Sequence, residues 1–208
     1  MFNNDFHHNV LERHSVKKYD PQVKISREEI LDMLNEAVTA PSAFNLQPWK
    51  FVVVDTDEGK AKIHDYVQLN AQKTDTASAT IFIFNDLEAA QHTDSIYEQA
   101  VTEGHMPQEV AQQVTSYIHN VIDPIPAERM AYISRVDTGL VAMQLMTVAR
   151  EHGYDTNPMT GFDWAKMPEV LGIDPQRYSS ALMMTIGKAA EEPHTSPRIP
   201  AENITDFR

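Results

Sequence analysis

Three continuous apolar runs constrain the fold of this 208-residue chain more than any other feature. They read "KFVVVD" at 50–55, "ATIFIFND" at 79–86 and "SALMMTIGK" at 180–188. Continuous rather than alternating apolar residues are typical of strands that are buried on both faces. Segments with helical periodicity lie between the runs, so the sequence predicts a layered α/β or α+β fold.

Helix signals surround these strands. The segment "SREEILDMLNEAVTAP" opens with Ser26 and Glu29 in capping-box spacing and is stopped by Pro41. Further helices are predicted at 4–13, 57–73 and 127–152. The second half of the last one, "GLVAMQLMTVA", is apolar on nearly all sides. Such a helix has to be covered on most sides, and a second subunit is one way to provide that cover.

Other segments show weaker patterns. The sequence predicts one or two surface helices within 87–126, a loop at 154–163 and a short helix closing at Gly172. The tail from Ala189 carries three prolines and few large apolar groups, so it cannot build a core of its own. We expect it either to be disordered or to wrap over a surface. The length suits one domain of ordinary size or two small ones.

Composition excludes several classes of function. The formal net charge of −13 argues against a nucleic-acid interface and against an anionic membrane surface. The 208 residues contain no cysteine, which excludes disulfides, thiolate catalysis and thiolate-held metals. No apolar run reaches the ~18 residues of a membrane span, and the first residues lack a signal-peptide pattern. We therefore expect a cytoplasmic protein whose partners are small molecules or protein.

Standard catalytic and metal-binding motifs are also missing. Neither glycine-rich phosphate cradle occurs, and no G-x-S-x-G elbow marks a serine hydrolase. The nine histidines include no H-E-x-x-H pair, so we expect them to face solvent and expect no metal site.

The segment "ERHSVKKYD" at 12–20 is a local exception to the acidic character of the chain. In an extended backbone, Arg13, Ser15 and Lys17 share one face while Val16 points to the other. A guanidinium, a hydroxyl and an ammonium group together suit a phosphate. Taken alone, the triplet is equally consistent with three polar surface residues.

Four further signals accompany this triplet. "APSAFNLQPWKF" at 40–51 packs small, amide and proline residues between a helix and a strand. Asn70 and Lys73 share one helical face, and Gly161 permits close backbone approach to a flat ligand. Arg198 is an isolated cation in the tail.

Together these segments resemble the flavin-dependent nitroreductase family. "ERHSVKKYD", "APSAFNLQPWKF", "NAQK" at 70–73, "NPMTGFD" and "TSPRIP" occur in the family's order and spacing from about residue 6 to 200. The resemblance implies an α+β fold, a three-layer α/β/α sandwich around a central mixed sheet, in an intertwined homodimer. It also implies a single domain over 1–208, with 87–126 as a variable lid and 189–208 as an extension that wraps the partner.

The resemblance assigns FMN as cofactor and NADH or NADPH as electron donor. Several groups of residues would hold FMN: Arg13, Ser15 and Lys17, His14 through its backbone, Asn70 and Lys73 at the pyrimidine edge, and Arg198 at the phosphate. The loop Pro158, Met159, Thr160 and Gly161 would place a backbone N–H near flavin N5. Pro41, Ser42, Ala43 and Asn45 would reach the same FMN from the other subunit. Ser196 stands where many relatives carry a lysine.

The implied activity is electron transfer from NAD(P)H to nitroaromatic, quinone or similar acceptors by a ping-pong hydride mechanism. No catalytic side chain is assigned, and Phe44 is expected to contact flat substrates. Two alternatives stay open. One is other flavin chemistry on the same scaffold, namely enone reduction, dehalogenation or flavin breakdown, and the other is a non-catalytic FMN-binding redox sensor.

Overall fold

Strand β2 lies inside a four-stranded sheet and is buried at every position. The structure is a computed structural model that describes residues 5–208. The sheet has the order β1-β2-β4-β3, and each neighbouring pair is antiparallel. The strands are β1 (Trp49–Val54), β2 (Ala79–Asp86), β3 (Asp155–Met159) and β4 (Tyr178–Gly187).

Helices cover both faces of this sheet. They are α1 (Phe6–Leu11), α2 (Arg27–Ala37), α3 (Asp57–Ile63), α4 (Ala71–Thr76), α5 (Thr93–Thr102), α6 (Gln108–Ile122), α7 (Ala127–Glu151) and α8 (Met167–Val170). Short 3₁₀ turns occur at Ala43–Asn45, His64–Tyr66, Gln68–Asn70, Ala89–His92 and Ala201–Asn203.

Successive residues of β2 serve opposite layers. Ile81 and Ile83 pack under α2 and α7, whereas Phe82 and Phe84 pack against α3, α8 and Phe162. Burial of each such side chain contributes about 1.5–3 kcal/mol. Both faces of β2 contact apolar helices, so the strand needs apolar residues at successive positions. The helices on either side of the sheet confirm the predicted three-layer α/β/α sandwich.

Two predicted helices form nearly as expected. In α2 the Ser26 hydroxyl accepts a hydrogen bond from the Glu29 N–H at 3.1 Å, which is the capping geometry that the spacing predicts. Helix α7 spans all but the last residue of the predicted stretch 127–152. The first helix, predicted at 4–13, is α1; residue 4 lies outside the described residues.

The prediction of one helix over 57–73 is wrong. Helix α3 ends at Ile63, and two 3₁₀ turns precede α4. Gln68 has φ 53°, in the left-handed region that a right-handed helix cannot contain. Because of this break, α4 does not continue the axis of α3. Asn70 instead contacts residue 161, and Lys73 contacts Asn70.

The prediction of a loop at 154–163 is wrong in its first half, which is β3. Proline is tolerated at position 158 because β3 is an edge strand that pairs only with β4 among the named strands. The parallel character that we expected of a mixed sheet is limited to one isolated bridge, Ser15 with Thr156.

The predicted surface region 87–126 contains α5 and α6, which form a third apolar cluster with Leu46 and Met130. The tail beyond the bridge between Tyr19 and Ala189 adds only one 3₁₀ turn and exposes Ile199, Ile204 and Phe207. Within residues 5–208, no helix has the length and apolarity needed to cross a membrane.

Candidate functional site

The extended segment at 13–17 lies along β3. Ser15 bridges Thr156, the Val16 N–H donates to the Thr156 carbonyl at 3.1 Å, and the Asn157 amide donates to the Val16 carbonyl at 2.8 Å. Val16 is buried, whereas Ser15 and Lys17 are exposed. The alternation that the sequence predicts is therefore present, and its cause is pairing with the sheet edge.

Arg13 lies beside two other arginines. Burial lowers the pKa of the Arg13 guanidinium, and the positive charges of Arg198 and then Arg150 lower it further. Its Nη1 is buried and has no hydrogen-bond partner among residues 5–208. The structure thus brings together two predicted phosphate ligands that are 185 positions apart in the chain.

A second group lies where α4 meets the loop after β3. The Lys73 ammonium donates to Asn70 Oδ1 at 2.5 Å, and the Asn70 amide donates to the Gly161 carbonyl at 2.7 Å. Burial lowers the pKa of Lys73, and the charge of Lys17 lowers it further, which places the two ammonium groups within electrostatic range of each other. A Cβ at position 161 would lie 3.0 Å from Asn70 Nδ2, and glycine there lets the amide approach.

The predicted residues in these two groups therefore converge within one chain. They are Arg13, His14, Ser15 and Lys17 along β3, Asn70 and Lys73 at α4, Pro158 and Met159 at the end of β3, Thr160 and Gly161 directly after it, and Arg198 in the tail. The His14 ring lies 2.7 Å from the Glu12 carbonyl oxygen, which keeps it within its own segment.

The loop at 41–47 stands apart from these groups. In the part of the chain that the structure describes, no hydrogen bond or ion pair joins it to them. Its predicted ligands are Pro41, Ser42, Ala43 and Asn45. That they serve the site of the other subunit stays a prediction.

The backbone of this loop is strained. Phe44, Asn45 and Gln47 have φ values of 52°, 55° and 49°, a region that costs non-glycine residues of the order of 1–3 kcal/mol each. The Ser42 hydroxyl accepts from the Gln47 N–H at 3.0 Å, which closes the turn from within.

Two residues that sequence reasoning missed hold the loop from outside. Asp137 of α7 accepts a hydrogen bond from the Ala43 N–H at 3.2 Å, and the Tyr97 hydroxyl of α5 donates to the Phe44 carbonyl at 3.1 Å. Burial raises the pKa of Asp137, although its hydrogen bond from Ala43 opposes the shift. A carboxylate two residues before the apolar half of α7 was the available signal.

Phe44 and Tyr117 form an aromatic pair between the loop and α6. Their ring centroids are 6.1 Å apart at an interplanar angle of 54°. Both side chains are exposed, at 39% and 57%. They therefore offer an apolar surface to a flat molecule. Among residues 5–208, no cluster of three or more His, Asp or Glu side chains could hold a metal ion.

Comparison with known proteins gives consistent matches over the whole chain. Residues 10–188 match the Nitroreductase family. "Putative NAD(P)H nitroreductase YdgI" of Bacillus subtilis (strain 168) is 42% identical over 205 residues, which cover 99% of this chain and 98% of that protein. "CLA biosynthesis enone reductase" of Lactiplantibacillus plantarum is 40% identical over 208 residues, covering 100% of this chain and 96% of that protein.

Solved structures agree with these matches. The crystal structure of a "putative nitroreductase in complex with FMN" from Exiguobacterium sibiricum 255-15 superposes with a TM-score of 0.97 at 40% identity. The alignment covers 100% of this chain and 99% of that one.

The raised pKa of Asp137 predicts a pH dependence of stability. Because the folded protein binds this proton more tightly than the unfolded chain, the free energy of unfolding falls as pH rises from the ordinary carboxyl pKa to the raised one. Asp137→Asn keeps an acceptor for the Ala43 N–H but does not titrate, so its stability relative to the wild type should increase across that window. Urea unfolding at fixed protein concentration between pH 3.5 and 7 measures the difference, and parallel profiles would contradict it.

Proposed function

The chain belongs to the nitroreductase family, and from that membership we propose that it is an FMN-dependent oxidoreductase. It takes electrons from NADH or NADPH and passes them to a nitroaromatic, a quinone or a similar small acceptor. The observation that carries the proposal is the buried Arg13 Nη1, which has no partner among residues 5–208 and lies beside Arg198. A buried donor of this kind needs a hydrogen-bond acceptor, and the FMN phosphate would supply an anionic one that suits the guanidinium charge.

The residues present fit FMN at both ends. Arg13, Ser15 and Arg198 offer cationic and hydroxyl donors to the phosphate, and Arg198 is itself held by the Ser196 and Pro197 carbonyls at 3.0 Å. Asn70, Lys73 and Gly161 form a connected polar group for the ring edge. The crystal structure of the Exiguobacterium sibiricum relative is a complex with FMN, which supports FMN as the cofactor of this chain.

When bound, FMN supplies the redox chemistry by accepting a hydride from NAD(P)H and returning electrons to an acceptor. The chain supplies binding, orientation and charge. Lys17 and Lys73 would supply two cations at the ring edge where negative charge develops, and loss of such a contact commonly costs about 10²–10³ in rate. Asn70 orients Lys73 and the Gly161 carbonyl together, because its amide bonds both.

A ping-pong order follows if donor and acceptor use the same ring face in turn. Hydride transfer needs no covalent protein intermediate, so no side chain is assigned as a nucleophile. We infer that Phe44 contacts the acceptor, with Tyr117 beside it, and that 87–126 forms a lid because α5 and α6 carry Tyr97 and Tyr117 over the loop.

We further propose a homodimer. Tyr132, Val136, Leu140 and Met143 form an exposed apolar stripe at helical spacing on α7. The tail of residues 189–208 exposes Ile199, Ile204 and Phe207, which suits an extension that wraps a second copy. The loop at 41–47 would then reach the partner's FMN. A cytoplasmic location is proposed on the acidic, cysteine-free sequence.

Enone reduction is the second candidate, favoured by 40% identity over the full length to the Lactiplantibacillus plantarum enone reductase.

Both candidates require yellow protein that releases FMN on heating. Steady-state oxidation of NADH and of NADPH should be measured with a nitroarene, a quinone, an α,β-unsaturated ketone and oxygen. Double-reciprocal plots of the initial rate should give parallel lines if the order is ping-pong. The acceptor with the highest kcat/KM decides between reduction of nitroarenes or quinones and reduction of enones. Oxidation no faster than with free FMN would leave only a non-catalytic flavoprotein.

Arg13→Ala should lose FMN during purification, because it removes the guanidinium whose buried Nη1 would bind the phosphate. The flavin-to-protein absorbance ratio measures occupancy. Arg27→Ala is the matched control, since Arg27 pairs with Asp55 on the surface at 2.6 Å and should leave occupancy unchanged. Full occupancy in Arg13→Ala would show that the phosphate lies elsewhere.

Leu140→Glu should convert the dimer to a monomer by placing a charge in the α7 stripe. Light scattering during size-exclusion chromatography should give twice the chain mass for the wild type and one chain mass for the variant. Leu69→Glu is the control because Leu69 is 97% exposed and lies outside the stripe. A monomeric wild type would refute the proposed assembly.

A further inference from the structure

Three segments of the chain meet beside the start of β3. The segment at 15–20 pairs with β3 through Ser15 and with the root of the tail through Tyr19 and Ala189. The Ala190 N–H donates to the Lys18 carbonyl at 3.1 Å, which continues that pairing. The last turn of α7 leads into the same corner and carries Arg150.

Asp155 is the point that joins these segments. Its Oδ1 accepts from Arg150 Nη1 at 2.6 Å, and its Oδ2 accepts from the Ala189 N–H at 3.1 Å. Asp155 is buried, and both of its oxygen atoms accept hydrogen bonds from groups within the protein. Arg150 is thereby held in one orientation relative to the tail that carries Arg198.

Arg150 has binding capacity that Asp155 does not use. Its Nε is buried and lacks a hydrogen-bond partner among residues 5–208, as does Arg13 Nη1. Burial of a guanidinium donor without a partner is costly, so these two atoms need an acceptor from outside the described chain.

The charge at this corner is also unbalanced. Of Arg13, Arg150 and Arg198, only Arg150 forms an ion pair within the described part of the chain, and its partner is Asp155. Three guanidinium groups against one carboxylate leave two positive charges. A phosphate monoester carries about −1.5 to −2 at neutral pH and would neutralise them.

We propose that Arg150 is a third cation of the phosphate site and that Asp155 is the residue that positions it. The inference rests on the proposed binding of FMN and adds a residue from α7 to it. Proximity supports it independently, because the charge of Arg150 is among those that lower the pKa of Arg13, after burial and the charge of Arg198. The competing explanation is that Arg150 and Asp155 form a purely structural pair.

FMN and riboflavin separate these explanations, because riboflavin has the same ring and no phosphate. The full-length protein is stripped of flavin, and flavin fluorescence quenching is titrated with each compound at low and moderate salt. Arg150→Gln should raise the Kd for FMN about tenfold or more and leave the Kd for riboflavin unchanged, because a charge-assisted contact is lost only with the phosphate. The salt dependence of FMN affinity should also weaken.

Arg150→Lys keeps a point charge without the planar fork, so it should recover part of the FMN affinity. Arg27→Gln is the matched control: it breaks a surface Arg–Asp pair of the same length, 2.6 Å, and should change neither Kd. If Arg150→Gln does not fold, Arg150→Lys carries the test, with a several-fold loss for FMN alone as the expected result.

If Arg150→Gln weakens the affinity for FMN and riboflavin equally, or weakens neither, the proposed role of Arg150 is overturned. Wild-type protein that binds neither compound would instead overturn the proposed function itself.

Discussion

The candidate site depends on the docking of an extended N-terminal segment against the sheet edge formed by β3. Val16 and Tyr19 anchor this segment, and both are buried. The Tyr19 hydroxyl lies 2.9 Å from Thr185 Oγ1, and its ring packs so closely on Gly187 that a Cβ there would lie 3.0 Å away. Backbone groups at a free sheet edge need partners, and the segment provides them. Arg13, Ser15 and Lys17 are placed as a consequence.

An acidic protein that concentrates cations in one region has to offset their mutual repulsion. The chain does so with few carboxylates: Asp155 holds Arg150, while Lys73 is held by a neutral amide. The remaining positive charge and the buried guanidinium donors are available to an anion. The loop at 41–47 is likewise held by few contacts: Asp137 accepts one hydrogen bond from the Ala43 N–H, and Tyr97 donates one to the carbonyl of the left-handed residue Phe44. The loop, α5 and α7 are therefore connected through these two hydrogen bonds.

Local signals predicted the parts of the fold that local physics controls. The Ser26 cap, the buried strands β2 and β4, and the long helix α7 follow from capping, burial and periodicity. Strand β1 forms where its apolar run predicts a strand, but the prediction that it is buried is wrong: it lies at the sheet edge and only its Val54 is buried. Strand β3 was missed because "DTNPM" has little strand propensity and forms by pairing with β4. The break after Ile63 was missed because one left-handed residue, Gln68, interrupts an otherwise helical pattern.

The sequence by itself determined which groups could bind a phosphate-tailed flat molecule, because residue chemistry and the spacing in "ERHSVKKYD" and "NAQK" are properties of the chain. Only the tertiary structure decided that Arg13, Arg150 and Arg198 share one corner and that Lys17 adjoins Lys73. The roles of Asp137 and Tyr97 likewise became visible only in three dimensions. The physical reason is distance: their partners lie 94 and 53 positions away in the chain, and no local pattern encodes which strand edge or loop a side chain will meet.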